Sequence, residues 1–395
     1  MIIMKRISIC LLLLLPLFLL NSPAFSQNEK TEKEKETPKA VNVIYMIGDG
    51  MALPQVFATM LATGNDLAFT QFPYIGVVDT RSASNTITDS AAGGTALACD
   101  KKTKNGMVGM DVDTVAMPTV LDVLADQGKS TGIVVTCYSG HATPADFYAK
   151  VPKRSMYEEI ALQLAESDKV DVMIAGGRKH FVHRKDSVNL LDRMEKELGW
   201  KVYDTLADVD PNCMKYAVLA SDGHMPVYPE RGEFLPDGVG TALKTLEKNE
   251  NGFFLMVEGS QIDFACHAHD SVNMVDETVD FSNAVQVALD YAKTHDNTLV
   301  VVTADHETGG LTMIDPQGKY TNIAFHYSTN SHTCLPVLIY AYGPGAEQFT
   351  GWMQNNEVKT KILNACGIEA SGLDSAPQKP REIAPIQGSF DSKRD

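Results

Sequence analysis

The order of apolar and polar positions predicts strands and helices that alternate along the chain. Short, almost wholly apolar runs predict strands, whereas apolar residues at every third or fourth position predict helices. The predicted strands are residues 41–47, 131–136, 170–175, 253–257, 298–303 and 336–342. The predicted helices are residues 119–127, 157–166, 240–248 and 277–293. Because runs as apolar as LVVVT (299–303) must be covered on both faces, the pattern indicates an α/β fold with three layers and a doubly wound, mostly parallel central sheet.

The two ends of the chain differ from this central part. Residues 1–26 carry Lys5 and Arg6, an apolar run, and small residues at Ala24 and Ser26, which is typical of a signal peptide cut after Ser26. Residues 27–40 alternate in charge and predict a solvated linker, and the proline-containing residues 371–395 predict a flexible tail. Residues 41–370 are therefore predicted to form a single catalytic domain, in a protein that is secreted or periplasmic.

The net charge limits the partners of the chain. Its 34 Lys and Arg and 50 Asp and Glu give −16, and loss of the signal peptide makes this −18. Such a charge disfavours docking onto nucleic acid or anionic membranes. No second apolar run is long enough to span a bilayer, so no membrane association is expected after cleavage. The six cysteines outside residues 1–26 permit disulfides, but most lie in apolar segments and no pairing is predicted.

Candidate chemistry lies where the predicted strands end. In parallel sheets, ligands bind at the carboxyl ends of the strands. Asp49 follows the first strand, Glu258 follows the strand at 253–257, and Asp305 with His306 follow the strand at 298–303. A single acidic residue at such a place is more often a helix cap or a turn residue. Together, however, these side chains are the oxygen and nitrogen ligands that divalent metals use.

Two further segments add to this set. Asp263 and His267 are four residues apart, so in a helix they project from one face and can hold one ion. Ser90 begins a run of small residues (90–96) that lets a bound anion approach a helix N-terminus. The alternative for Asp89 or Ser90 is an ordinary helix cap. Because the chain lacks a GxSxG motif, a metal ion is the expected means of activating a serine here.

These residues fall in six motifs that resemble the motif set of the alkaline phosphatases, secreted metal-dependent phosphomonoesterases, in the order of that family. The motifs are GDGM (48–51), TDSAAGGTA (88–96), HATPADF (141–147), EGSQIDFACH (258–267), TADHETGG (303–310) and NSHTCLPV (330–337). The resemblance implies an alkaline phosphatase-like fold, phosphate monoesters as substrates, two Zn²⁺ and one Mg²⁺. Many family members are homodimers, which makes a second copy of the chain a candidate partner.

The resemblance also implies roles for individual residues. Ser90 matches the serine that becomes phosphorylated and is bound to the first zinc, and Arg154 matches the arginine that binds the phosphoryl group. The other implied metal ligands are Asp49, Asp305 and His306 for the first zinc, Asp263, His267 and His332 for the second, and Thr143 and Glu258, with Asp49 bridging, for magnesium.

The sequence departs from some family members at two positions. His141 stands where some members have Asp, and Phe264 where some have Lys or His, which leaves less charge around the waters of the third site. The alternatives to a phosphomonoesterase are a phosphodiesterase, which Arg154 disfavours, a sulfatase, whose C/S-x-P-x-R motif is missing at Ser90, and a secreted metal-binding module without turnover.

Overall fold

A computed structural model of the chain describes residues 38–319 and 322–369. The predicted signal peptide (1–26), all but the last three residues of the predicted linker (27–40) and the predicted tail (371–395) lie outside the described residues.

The strands and helices alternate as the sequence predicts. The strands are β1 Asn42–Gly48, β2 Tyr74–Asp79, β3 Ser130–Tyr138, β4 Val172–Gly176, β5 Lys201–Tyr203, β6 Tyr216–Leu219, β7 Phe253–Gly259, β8 Thr298–Thr303, β9 Glu307–Thr308, β10 Leu311–Ile314, β11 Ala324–Tyr327, β12 His332–Thr333, β13 Val337–Tyr342 and β14 Gly351–Gln354. The helices are α1 Leu53–Thr63, α2 Ser90–Ala98, α3 Val120–Asp126, α4 Ala142–Ala145, α5 Tyr157–Glu166, α6 Lys179–Val182, α7 Leu190–Glu197, α8 Phe234–Leu246, α9 Gln261–His267, α10 Ser271–Thr294 and α11 Val358–Ala365.

Ten of these strands form one sheet in the order β14-β2-β13-β8-β1-β7-β3-β4-β6-β5. Within the described ranges, β13 is the one strand of this sheet that runs antiparallel to its neighbours. Strands β1, β3, β7 and β8 are buried along their whole length. Helices α8 and α10 contact these strands, and so do α3 and α4. The mostly parallel α/β fold is therefore confirmed, and the central strands are covered as their apolar sequences require.

All six predicted strands are confirmed, with ends that shift by at most two residues. Two predicted helices begin six residues earlier than expected, at Phe234 in α8 and at Ser271 in α10. The start of α10 is set by Asp270, whose side chain accepts hydrogen bonds from the backbone N–H groups of residues 272 and 273. In α8 the prediction missed residues 234–239, which include Pro236 in the first turn and Gly238 inside the helix.

Candidate active site

The four central strands end at one edge of the sheet, and the candidate ligands lie there. Asp49 follows β1, Glu258 lies near the end of β7, and Asp305 follows β8. In the register of the sheet, Ile47 of β1 pairs with both Glu258 and Thr303. Asp49, Glu258 and Asp305 are completely buried. Parallel pairing thus brings Asp49 together with two carboxyl groups that lie more than 200 residues later in the sequence.

The first group of ligands consists of Asp49, Asp305 and His306, with Ser90 beside it. His306 Nε2 lies 3.5 Å from Asp49 Oδ1 and 3.2 Å from Asp305 Oδ2. Ser90 Oγ lies 3.2 Å from the same nitrogen. Asp49 Oδ1 and Asp305 Oδ2 are buried and have no hydrogen-bond partner in the described part of the chain. Since an unpaired buried carboxylate oxygen is costly, this arrangement fits a bound cation.

A glycine on each side permits this close approach. Gly50 adopts φ +71°, and a Cβ there would lie 2.7 Å from Thr308 Oγ1 and 3.0 Å from Asp263 Oδ1. The N–H of Gly50 donates to Asp305 Oδ1 at 3.2 Å. Gly93 of α2 passes Asp305 so closely that a Cβ would lie 2.9 Å from its carbonyl oxygen. A larger residue at Gly93 would push the helix of Ser90 away from Asp305, and one at Gly50 would collide with Thr308 and Asp263.

The second group consists of Asp263, His267 and His332. Asp263 and His267 lie one turn apart in α9, with 3.3 Å between Asp263 Oδ1 and His267 Nε2. His332 Nε2 lies 3.7 Å from the same oxygen and 3.1 Å from His267 Nε2. Both histidines donate from Nδ1 to backbone carbonyls, of Asn330 and of Thr88 respectively. Their Nε2 atoms therefore converge as acceptors, which requires a proton or a metal ion between them.

The pKa values of this group reflect the same demand for positive charge. The hydrogen bond to Asp263 raises the pKa of His267 to about 9. Burial and the charge of His306 lower the pKa of His332 to about 4. Burial opposes ionisation of Asp263, but the hydrogen bond with His267 and the nearby histidines lower its pKa below the ordinary value. The group accordingly holds one positive charge next to an ionised carboxylate.

The third group lies around Glu258. Thr143 Oγ1 in α4 is 3.5 Å from Asp49 Oδ2. Burial raises the pKa of Glu258 to about 8 and raises that of Asp49 well above its ordinary value, with Asp305 adding to both. Glu258 Oε1 is buried without a hydrogen-bond partner among residues 38–319 and 322–369. A cation here would relieve the repulsion between the carboxyl groups.

Arg154 faces the N-terminus of α2, where Ser90 is the first residue. Its Nη1 lies 3.2 Å from Asp89 Oδ2, and its Nη2 lies 3.5 Å from His141 Nε2. Burial and the charge of Arg154 lower the pKa of His141 to about 3, so this histidine is neutral at physiological pH. A fixed guanidinium and a helix N-terminus beside one hydroxyl suit an anion that reacts with that hydroxyl.

The sequence analysis missed or undervalued several neighbours of these groups. Cys137, treated as a buried thiol, lies with His141 and Glu258 in one potential ligand cluster. Asp89, considered only as a helix cap, also pairs with Arg154. Glu307 was passed over inside the motif TADHETGG, although its place directly after the ligand pair 305–306 was a usable signal in the sequence. Phe264 packs its ring against His141, at 5.6 Å between centroids.

Comparison with known proteins identifies the family. The sequence model of the alkaline phosphatases matches residues 40–328. The chain belongs to the alkaline phosphatase family. Alkaline phosphatase 4 of Bacillus subtilis (strain 168) is 35% identical over 417 residues, which cover 84% of this chain and 90% of that protein. The chain is therefore an alkaline phosphatase, a metal-dependent enzyme that hydrolyses phosphate monoesters.

Solved alkaline phosphatases have the same fold. The enzyme of the Antarctic bacterium TAB5 superposes with a TM-score of 0.81 and 36% identity, over 85% of this alkaline phosphatase and 100% of that chain. A TAB5 variant in which aspartate replaces one histidine has Mg bound in its M3 site, and it matches with the same score, identity and coverage. The predicted alkaline phosphatase-like architecture is thus confirmed.

Two properties of the described residues bear on the earlier predictions. Their six cysteines, Cys99, Cys137, Cys213, Cys266, Cys334 and Cys366, are all free. Within residues 38–319 and 322–369, no helix has the length and apolar character needed to cross a membrane.

Proposed function

We propose that this alkaline phosphatase works through a phosphoserine at Ser90, with two zinc ions and a third divalent cation. The observation that carries the proposal is the position of Ser90 Oγ, 3.2 Å from His306 Nε2 and at the start of α2. The hydroxyl thus lies beside the cluster Asp49, Asp305 and His306, whose unpartnered oxygens fit a cation. The first zinc is proposed to be bound by this cluster with Ser90, and the second by Asp263, His267 and His332.

The two clusters are neighbours, as a two-metal phosphoryl transfer needs. The rings of His306 and His332 stack with 3.6 Å between centroids. Thr308 Oγ1 donates to Asp263 Oδ1 at 2.5 Å and lies 3.2 Å from His306 Nδ1. When bound, two such dications stabilise the attacking and the leaving oxygen of an in-line displacement and lower the pKa of the groups they bind.

The protein's own residues then account for the remaining steps. Arg154 is proposed to bind two non-bridging oxygens of the phosphoryl group, while Asp89 keeps the guanidinium turned toward Ser90. Ser90 Oγ gives its proton to solvent and bonds to phosphorus as the bond to the alcohol oxygen breaks, and the departing oxygen takes up a proton from solvent to leave as the alcohol. Water subsequently cleaves the phosphoserine, releasing inorganic phosphate and restoring the hydroxyl. Because binding depends on the phosphoryl group, a broad range of alcohols is expected.

The third cation is proposed to be held by Asp49, Thr143 and Glu258. These oxygen donors suit magnesium, which the family resemblance implies. The TAB5 variant in which aspartate replaces one histidine has Mg bound in its M3 site. His141 and Phe264 are proposed to lie beside the waters of this site. Because they supply no carboxylate, magnesium is expected to bind here less tightly than in such a variant.

Kinetic assays of the purified chain test the reaction. We expect hydrolysis of p-nitrophenyl phosphate to exceed that of its bis-ester, and chelator to abolish it. Ser90→Ala should remove the covalent phosphoenzyme that is trapped by acid quenching, whereas Ser167→Ala, at the end of α5, should retain it. A phosphoenzyme in Ser90→Ala would move the nucleophile to another residue. Activity that survives full metal removal, or a preference for the bis-ester, would refute the proposal.

Secretion or export to the periplasm, with cleavage after Ser26, also belongs to the proposal. N-terminal sequencing of the exported protein should begin at Gln27.

Association into a homodimer is proposed from helix α1, which has no charged residue and exposes Leu53, Phe57 and Leu61 to 52%, 46% and 40%. These residues are four apart and form one apolar stripe, which a second copy of the chain would cover. Sedimentation of wild type and Phe57→Arg would compare the oligomeric states.

A further inference from the structure

The thiol of Cys137 lies in the third group, where the proposed function uses only oxygen ligands. Cys137 is near the end of β3, completely buried. Its Sγ lies 3.3 Å from Glu258 Oε2. Ligand atoms of Cys137, His141 and Glu258 all lie within 4.8 Å of one another. A sulfur, a nitrogen and an oxygen donor are therefore close enough to share one ion.

Two atoms of this cluster lack the partners that burial demands. His141 Nδ1 and Glu258 Oε1 have no hydrogen-bond partner in the part of the chain that the structure describes. The side chain of Glu258 is fully buried, and His141 is 8% exposed. Buried polar atoms are normally paired, so an unpaired ring nitrogen and an unpaired carboxylate oxygen next to a thiol indicate a missing partner, which a cation would supply.

The backbone around Cys137 is held in place. The N–H of Cys137 donates to Ser260 Oγ at 3.1 Å, and the N–H of Ser260 donates to Thr136 Oγ1 at 3.0 Å. These two bonds connect the end of β3 to the turn that follows Glu258. The thiol and the carboxylate are thus presented together by two neighbouring strands rather than by mobile loops.

The nature of the donors determines which ion binds. Magnesium prefers oxygen ligands in octahedral geometry, whereas thiolate and imidazole suit zinc and cobalt. We propose that the third metal position of this chain is a mixed sulfur, nitrogen and oxygen site, in which Cys137, His141 and Glu258 bind a zinc-type dication in preference to magnesium. This inference rests on the proposed third cation and revises its identity. Binding converts the thiol to a thiolate, and its proton is released to solvent.

Cobalt substitution tests the proposal through its spectrum. Metal-free chain is titrated with Co²⁺, and absorption is recorded in the visible d–d region and in the near-ultraviolet sulfur-to-cobalt charge-transfer region. We expect a charge-transfer band in wild type, its loss in Cys137→Ser, and its retention in Cys99→Ser, which removes another completely buried thiol. Loading with zinc in excess Mg²⁺ should leave three zinc ions per chain in wild type and two in Cys137→Ser.

A second measurement covers the case that Cys137→Ser does not fold. X-ray absorption of the zinc-loaded wild type should show a sulfur neighbour at about 2.3 Å. If d–d bands develop without a charge-transfer band, or if zinc has no sulfur neighbour, the inference is wrong while the two-zinc proposal stands. If the chain binds neither cobalt nor zinc, the proposed function fails as well.

Discussion

Replacing Glu307 with Gln tests whether a buried carboxylate outside the ligand set supports the second metal group. Glu307 is completely buried in β9. Its Oε1 accepts hydrogen bonds from Gln55 Nε2 at 2.9 Å and from the N–H of Leu311 at 3.1 Å. Its Oε2 accepts from the N–H of Gly310 at 3.1 Å and from the hydroxyl of Thr333. Thr333 follows His332 in β12, so Glu307 fastens the strand that carries a proposed zinc ligand.

The size of the effect follows from these four bonds. Glutamine keeps one oxygen, which can accept two of these bonds, and its NH₂ group can donate to the hydroxyl of Thr333, which turns to accept. The N–H of Gly310 then faces an NH₂ group and loses its acceptor. At about 1.5–3 kcal/mol for a bond to a charged group, this lost bond costs about 1.5–3 kcal/mol. The described domain of about 330 residues unfolds with an entropy of about 0.7 kcal/mol/K, so the melting temperature should fall by about 2–4 °C.

Thermal unfolding should be followed in chelator, so that metal binding does not contribute to stability. Glu250→Gln, at an exposed position, is the control and should melt with wild type. We further expect Glu307→Gln to lose activity at limiting zinc and to recover part of it in excess zinc, because the loosened β12 weakens binding by His332. A melting temperature equal to that of wild type would refute the hydrogen-bond reasoning. If the activity of Glu307→Gln depends on zinc concentration as that of wild type does, Glu307 does not support the second metal group.

Two other substitutions probe the charges near and away from the site. Asp89→Asn retains a cap for α2 but removes the charge that orients Arg154. Since the side chains of Arg154 and Asp89 are 28% and 22% exposed, the substitution should weaken phosphate binding by about 1 kcal/mol, which is a fivefold weaker inhibition by inorganic phosphate. Equal or tighter inhibition would contradict this role of Asp89. Arg231→Met removes the buried partner of Glu277 and Asp280 and should cost about 3–5 kcal/mol in denaturant unfolding. Burial raises the pKa of Asp280 to about 6 in spite of Arg231. Protonation of Asp280 therefore stabilises the folded state below the unfolded pKa, and this contribution is lost as the pH rises through 6. The loss of stability in Arg231→Met should accordingly be smaller at pH 5 than at pH 8.

Local sequence patterns predicted most of the fold. Strands such as β7 and β8 are apolar throughout because both faces are covered, and this leaves a signal that needs no tertiary information. Asp49 and Asp305 were also predictable from local sequence, because they follow such strands. The pair Asp263 and His267 was predictable because its spacing matches one helical turn. Helix starts were less predictable where polar residues precede the apolar stripe, as in α10.

The sequence by itself determined which residue types stand at the strand ends and on one face of α9, because strand and helix periodicity are local properties. The family resemblance implied that His332 and His267 share one ion, but only the tertiary structure decided how His332, from a two-residue strand, meets His267 across 65 positions, and that Asp89 pairs with Arg154. It also decided that the buried thiol of Cys137 lies beside the carboxyl group of Glu258. These contacts join segments distant in the chain, and they depend on the order and register of the strands, which no local pattern encodes.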